Sequence, residues 1–144
     1  MIAVDTNILV YAHRADSAHH TAARDALTAA ATDERAFGVP WPCVHEFYSI
    51  VTHPRIYDPP STAPEALAAI AALDALPHCA WLGEGGDHLD QLTRLLASGA
   101  VRGPKVHDAR IAAICLSHGV TELWTADRDF SYFPALRINN PLVA

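Results

Sequence analysis

A short apolar segment at the start of the chain ends in a carboxylate, and this feature constrains the fold more than any other. Residues 1–4 read Met-Ile-Ala-Val, Asp5 follows, and the chain is apolar again over residues 8–10. Such a run, followed by residues that favour helix starts, predicts a buried strand that leads directly into a helix. The same pattern returns near the other end of the chain, where a strand-like segment over residues 120–126 precedes Asp127.

Strand-like and helix-like segments alternate along the sequence. We predict strands over residues 1–4, 36–39, 80–82, 120–126 and 135–138. Helices are predicted in the intervals, over about residues 6–14, 16–31, 42–52, 62–76, 87–98 and 106–119. Such alternation favours a parallel sheet with helices on both faces. The predicted fold class is therefore α/β, a three-layer α/β/α fold with a central, mainly parallel sheet of four to five strands.

The sequence gives no sign of a second domain. It has neither an internal repeat nor a low-complexity tract that would mark a linker, and 51% of its 144 residues are hydrophobic, which suits one sizeable core. We therefore expect residues 1–144 to form a single domain. One local motif is specific: Thr62 and Glu65 have capping-box spacing and predict a helix start.

Four acids occupy comparable places in the predicted elements. Asp5 and Asp127 follow strands, whereas Glu46 and Asp108 lie in the early turns of helices. The carboxyl ends of parallel strands share one edge of a sheet, where ligands bind in this class of fold. Clustered, partly buried carboxylates are costly unless a cation lies among them. The pattern therefore predicts a site for a divalent cation with oxygen ligands, Mg²⁺ or Mn²⁺, which can activate water for attack on phosphorus.

Each acid also has an ordinary structural interpretation. Asp5 could cap a helix, Glu46 could be solvated, Asp108 could offset the helix dipole, and Asp127 could be a turn residue. Asp129 is either a further ligand or supporting acid, or the cap of the turn that follows it. The joint pattern, rather than any single acid, favours a site.

Composition limits the classes of function. The net charge of −6 argues against a broad basic surface for duplex DNA. No apolar stretch is long enough to cross a bilayer and no signal peptide precedes the first strand, so we expect a cytoplasmic protein with reduced, unpaired cysteines. Some basic residues near the predicted site are candidates for phosphate or acidic-partner contacts, with solvation as the alternative: Arg14, Arg102, Lys105, Arg110 and Arg128.

Four segments together resemble a PIN domain, and more narrowly a VapC-type toxin of a type II toxin–antitoxin pair. They are Asp5-Thr6-Asn7 after the opening strand, Glu46 in a helix, Asp108 at the start of a helix that continues Ala-Arg-Ile-Ala-Ala, and the stretch Thr125-Ala-Asp127-Arg-Asp129-Phe. The resemblance spans the whole chain. The opening motif and the last stretch are its most specific parts, and Glu46 is its least specific part.

The resemblance implies a metal-dependent ribonuclease with a PIN-like fold over residues 1–144. Asp5, Asp108 and Asp127 would bind Mg²⁺, with Mn²⁺ as a possible substitute, and Glu46 would hold or activate a water. Asn7 and Thr125 would orient carboxylates, with Asp129 in a supporting place. It also implies RNA as substrate, a homodimer, and a cognate VapB-type antitoxin that covers or disturbs the site in a heterotetramer or larger assembly.

Two other functions remain open at this point. A catalytically silent PIN-like module that only binds a partner would keep the fold and lose acids, and none of the four is missing. An aspartyl-phosphate phosphatase also begins with a strand that ends in Asp, but it needs an acid two residues later. Asn7 stands there, and an amide cannot act as the general acid.

Overall fold

Five short strands form one sheet in the computed structural model, which describes residues 1–143. The strands are β1 (Ile2–Val4), β2 (Phe37–Pro40), β3 (Cys79–Leu82), β4 (Glu122–Trp124) and β5 (Arg137–Asn139). Their order across the sheet is β3-β2-β1-β4-β5, and every neighbouring pair is parallel. The predicted parallel sheet is confirmed, with the first strand of the chain at its centre.

The helices lie between the strands in sequence and pack in two groups. They are α1 (Thr6–His13), α2 (His20–Thr32), α3 (Trp41–Val51), α4 (Ala63–Asp74), α5 (His88–Leu96) and α6 (Val106–Ser117). Helix α1 contacts both α2 and α3, α3 contacts α4, and α5 packs on α6. With the sheet they make the three-layer α/β/α fold that the sequence predicts. None of the helices within residues 1–143 is long and apolar enough to span a bilayer.

Strand β1 is completely buried, and this burial determines where the site lies. Ile2, Ala3 and Val4 have no exposed surface, because β2 and β4 pair with both edges of the strand and helices cover its faces. A strand buried on both faces has a continuous apolar sequence, as residues 1–4 do. The next residue, Asp5, is therefore carried into the interior at the carboxyl edge of the sheet.

Most element boundaries differ from the sequence-based prediction by one or two residues, and two of the differences have a visible cause. Strand β4 ends at Trp124 rather than near residue 126. The N–H of Thr125 still donates to the carbonyl of Asn139 at 2.9 Å, but the N–H of Ala126 donates to the side-chain oxygen of Asn7 at 3.1 Å instead of to a strand. Helix α2 begins at His20, later than predicted, since the preceding residues form turns closed by Ser17. Both differences lie in segments where side chains compete with the regular backbone pattern.

The predicted capping box is confirmed at the start of α4. The backbone N–H of Thr62 donates to the Glu65 carboxylate at 3.0 Å, and the N–H of Glu65 donates to the Thr62 hydroxyl at 3.3 Å. These reciprocal bonds satisfy two donors that the first turn of a helix would otherwise leave unpaired. The motif fixes where the loop between α3 and α4 ends.

Gly38 in β2 provides a test of how tightly the sheet is packed. A Cβ added there would lie 2.6 Å from Cδ1 and 2.8 Å from Cγ of Leu82, a buried side chain of β3. We expect Gly38→Ala to lower the free energy of unfolding by about 1–3 kcal/mol in urea titrations, because the side chain must leave its rotamer. Gly86→Ala is the matched control, since no atom lies within 4 Å of its added Cβ. Equal stability of both variants would contradict the packing described here.

Candidate active site

A cavity of about 360 Å³ opens where β1 and β4 end. Its lining includes all four acids singled out from the sequence: Asp5, Glu46, Asp108 and Asp127. Asp5 directly follows β1, Asp127 lies three residues beyond the end of β4, Glu46 lies in α3, and Asp108 lies in the first turn of α6. Residues separated by more than a hundred positions therefore meet at one edge of the sheet.

Asp5 is the most buried of these acids, with 4% of its surface exposed. The Thr125 hydroxyl donates to its Oδ2 at 2.7 Å, and the Cys43 thiol donates to its Oδ1 at 3.4 Å. Burial raises the pKa of Asp5 above its usual value, and these hydrogen bonds offset part of that rise. Asp5 occupies the N-cap position of α1 without a capping hydrogen bond from its side chain, so helix capping does not account for it.

Asn7 and Thr125 connect the ends of the two strands through hydrogen bonds. The Asn7 amide donates to the Thr125 hydroxyl at 3.1 Å and to Asp5 at 3.3 Å, and its carbonyl oxygen accepts from the N–H of Ala126 at 3.1 Å. The Thr125 hydroxyl also accepts from the N–H of Asp127 at 3.0 Å. These bonds hold the Asp5 carboxylate directly and fix the backbone, but not the carboxylate, of Asp127.

A second group of acids lies beside Asp5. Asp108, Asp127 and Asp129 can each offer a carboxylate oxygen within 4.8 Å of the others. Asp127 caps the short 3₁₀ helix Arg128–Tyr132 by accepting from the N–H of Asp129 at 2.8 Å. The sequence left the place of Asp129 open; its carboxylate faces the other two. Asp127 is both a turn cap and a member of the acidic group.

The negative charges of the cavity contribute to a raised pKa of Asp108. Burial, followed by repulsion from Asp127, Asp5, Asp129 and Glu46, raises the pKa of Asp108 to about 6. Repulsion of this kind is relieved when a cation lies among the carboxylates. The donors are hard carboxylate oxygens, the ligands that Mg²⁺ and Mn²⁺ prefer. The residues present therefore fit a divalent ion of that type.

Two neighbours of the acids were missed by sequence reasoning. The Thr6 hydroxyl donates to Oε2 of Glu46 at 2.7 Å, and the Cys43 thiol contacts Asp5. Burial raises the pKa of Cys43 well above its usual value, so this thiol is a protonated donor rather than a metal ligand. The sequence could have indicated Cys43, because it precedes Glu46 by about one helical turn and therefore lies on the same face of α3. Thr6 has no comparable signal, because threonine beside a strand end indicates only a residue type that favours helix starts.

Two of the candidate basic residues form ion pairs within the part of the chain that the structure describes. Arg110 of α6 forms an ion pair with Glu84. Arg14 pairs with Asp16 at 2.8 Å. Next to Arg110, a smaller cavity of about 290 Å³ is lined by Glu46 together with His45 and His107. Glu46 lines both cavities, so the acidic site continues along the surface toward α6.

Comparisons with known proteins agree with this architecture. The family model described as PIN domain matches residues 2–136. VapC ribonuclease Mb2897 of Mycobacterium bovis is 36% identical over 142 residues, which cover 99% of this chain and 96% of that protein. Ribonuclease VapC31 of Mycobacterium tuberculosis is 32% identical over 141 residues, covering 98% of this chain and 99% of the relative.

Solved structures show the same fold at lower sequence identity. VapC20 of Mycobacterium tuberculosis, a Sarcin-Ricin loop cleaving toxin, superposes with a TM-score of 0.67 at 20% identity, covering 91% of this chain and 93% of that one. VapBC2 from Rickettsia felis, bound to a DNA fragment from its promoter, gives a TM-score of 0.68 at 17% identity, covering 97% and 98% of the two chains.

The raised pKa of Asp108 predicts a pH dependence of stability in the metal-free protein. Since the pKa of Asp108 in the folded protein, about 6, lies above its usual value of 3.8, the ionised group opposes folding above about pH 6, and this penalty disappears as the pH falls toward 4. We expect Asp108→Asn to stabilise the protein at about pH 7.5 by about 1 kcal/mol, a figure reduced for the solvent screening of a half-exposed group, and to give no gain near pH 4.

The measurement is urea unfolding in the presence of a chelator at both pH values. Asp90→Asn, at an exposed acid of α5, is the matched control and should change stability little at either pH. A gain for Asp108→Asn that is the same at both pH values would contradict the repulsion described above.

Proposed function

This chain belongs to the PIN domain family in its VapC-type form, and we propose that it is a Mg²⁺-dependent endoribonuclease, the toxin of a toxin–antitoxin pair. The single observation that carries the proposal is the meeting of Asp5, Glu46, Asp108 and Asp127 in one cavity at the sheet edge. Relatives named ribonucleases that align over nearly the whole chain support it. The substrate is RNA, with transfer, ribosomal and messenger RNA as the candidate classes.

We propose that Asp5, Asp108 and Asp127 hold the metal ion, with Asp129 contributing from the same group. When bound, Mg²⁺ would increase the acidity of water and stabilise the negative charge that develops on the phosphate oxygens. The chain's own contribution is orientation. Thr125 and Asn7 fix the Asp5 carboxylate, and the N–H of Asp129 fixes that of Asp127, so little reorganisation is needed when substrate binds.

Glu46 is the group proposed to accept a proton from the attacking water. The Thr6 hydroxyl engages Oε2, which directs the carboxylate and lets Oε1 hold a water. As that water attacks phosphorus, one of its protons passes to Glu46 and a phosphorus–oxygen bond of the RNA backbone breaks. The departing oxygen takes a proton from solvent, and Glu46 then releases its proton to solvent. Mn²⁺ would serve in place of Mg²⁺, because it prefers the same oxygen ligands.

The remaining parts of the proposal concern assembly. We propose that the chain acts in the cytoplasm as a single PIN domain over residues 1–144, as a homodimer, and that a cognate VapB-type antitoxin inhibits it in a heterotetramer or larger complex. The solved VapBC2 assembly with the same fold supports a partner of this kind. A catalytically silent partner-binding module is the alternative. The retention of every acid in one cavity argues against it.

The first experiment compares the wild type with Asp5→Asn. Neutralising Asp5 removes a buried charge that helps to hold the cation, so we expect RNA cleavage to fall by at least about a hundredfold and growth arrest to be relieved. Mapping of new RNA 5′ ends after brief expression measures both the loss and the cleavage sites. Undiminished cleavage by purified, folded Asp5→Asn would refute the role. Calorimetry that finds no Mg²⁺ or Mn²⁺ binding to the wild type would favour the silent module.

The second experiment tests the contact between Thr6 and Glu46. Thr6 is buried, and Thr6→Val keeps its shape while removing the hydroxyl that donates to Glu46. We expect the turnover rate to fall about 10- to 100-fold with the metal affinity within about twofold of the wild type, because the variant misdirects a proton acceptor and leaves the metal ligands intact. Thr6→Ser should restore most of the rate. A loss of metal affinity as large as the loss of turnover would argue against the assigned role.

A further inference from the structure

We propose that the apolar wall of the catalytic cavity, formed by Tyr11, Ile56 and Tyr57, binds a nucleobase next to the scissile phosphate, and that Arg14 positions Tyr57 for this contact. The inference rests on the proposed cleavage of RNA, since it assigns a base-binding subsite to the same cavity. It extends that proposal by naming the part of the nucleotide that the non-acidic half of the cavity would recognise.

The cavity has two chemically different walls. The acids, with Thr6 and Asn7, form the polar part of its lining. The other part consists of apolar and aromatic side chains from α1, α3 and the loop after α3: Val10, Tyr11, Ile50, Ile56 and Tyr57. Ile56 is 54% exposed and therefore offers apolar surface to a ligand in the cavity. A nucleotide presents a charged phosphate beside a flat, weakly polar base, and single-stranded RNA is commonly bound by stacking bases on aromatic rings.

Arg14 contacts the ring of Tyr57 from outside the catalytic cavity. The guanidinium carbon of Arg14 lies 4.2 Å from the centre of the Tyr57 ring, a cation–π contact. Arg14 lines a neighbouring cavity together with Asp16 and Ser61, whereas Tyr57 lines the acidic one. The ring therefore stands between the guanidinium and the catalytic cavity.

The hydrogen bonds of Arg14 make it part of the scaffold. Its guanidinium donates to both carboxylate oxygens of Asp16, at 3.0 and 2.8 Å, to the carbonyl of Pro59 at 3.0 Å and to the Ser61 hydroxyl at 3.2 Å. Its side chain is 12% exposed. A charge that is paired and mostly covered in this way is poorly suited to bind a phosphate. The sequence-based candidate for phosphate contact is thus better explained as a positioning residue.

The loop that carries Ile56 and Tyr57 is fixed at both ends. The N–H groups of both residues donate to the carbonyl of His53 at 3.1 Å, and the N–H of Ser61 donates to the carbonyl of Val51 at 2.8 Å. Because the backbone is held by these bonds, the exposed surface of Ile56 is a preformed feature. A preformed wall costs less conformational entropy on binding than one that must first become ordered.

The test uses a single-stranded RNA oligonucleotide spanning the mapped cleavage site, and the same oligonucleotide with an abasic nucleotide on one or the other side of the scissile phosphate. For the wild type we expect one abasic position to raise KM about tenfold, as the loss of a base–aromatic stack does. Tyr57→Leu should raise KM about tenfold on the intact RNA, leave kcat nearly unchanged, and show no further loss on that abasic RNA. Tyr57→Phe, which keeps the ring, should behave like the wild type.

Further variants separate positioning from general damage. Arg14→Met should raise KM as Tyr57→Leu does, and Arg14→Lys should recover part of the loss by keeping a cation against the ring. If Tyr57→Leu does not fold, Ile56→Ala tests base binding by the apolar wall instead, because Ile56 is exposed and its truncation should leave the fold intact. Tyr132→Leu is the matched control, because Lys105 lies 4.2 Å from the centre of the Tyr132 ring and this tyrosine lines a different cavity. It should keep the full abasic penalty.

The outcomes distinguish this inference from the function on which it rests. A wild type that cleaves no RNA in Mg²⁺ overturns the proposed function. A wild type that cleaves RNA, with the same abasic penalty in Tyr57→Leu and Ile56→Ala, overturns the base subsite alone. Variants that keep the wild-type KM but bind a co-purified antitoxin more weakly would assign the wall to the protein partner and also overturn the subsite.

Discussion

Repulsion between carboxylates held in one half-buried cavity is the constraint on which the rest of the structure depends. The fold tolerates this repulsion because other interactions offset its free-energy cost. They are the burial of the central strand, the hydrogen bonds that a threonine hydroxyl and a thiol donate to Asp5, and the N–H that donates to Asp127. Electrostatic repulsion between the carboxylates raises the free energy of the metal-free protein. Because a bound cation would relieve this repulsion, the same arrangement favours cation binding. The raised pKa of Asp108 shows that its ionised form lowers the stability of the folded protein, while the proposed metal binding requires that form.

The elements that position the site could be predicted from sequence because each has a strong local signal. The apolar run before Asp5, the capping box at Thr62 and Glu65, and the alternation of strands and helices all reappear in the structure. Parallel strands bring their carboxyl ends to one edge, so the proximity of Asp5 and Asp127 follows from topology alone. The match of residues 2–136 to the PIN domain family agrees with this fold.

What the sequence could not supply is contact between side chains that are far apart in the chain. The hydrogen bond from Thr6 to Glu46 joins residues 40 positions apart, and no local sequence pattern predicts it. The sequence indicates only that Arg14 is a cation available to a phosphate, an acidic partner or solvent. In the structure it contacts Asp16, Ser61 and the ring of Tyr57. Charge and hydropathy patterns report which residues are polar, but the partner of a polar group is decided by tertiary packing.

The pairing of β4 with β1 has a consequence for the synthesis of the protein. Asp5 leaves the ribosome well before Thr125, whose hydroxyl orients it and which lies 120 positions later, and Asp127 emerges later still. The cavity cannot form until the segment that carries β4 has emerged and has inserted beside β1. A chain that stops before β4 therefore lacks the assembled acidic cavity, and formation of the cavity is a late step in the synthesis of the protein.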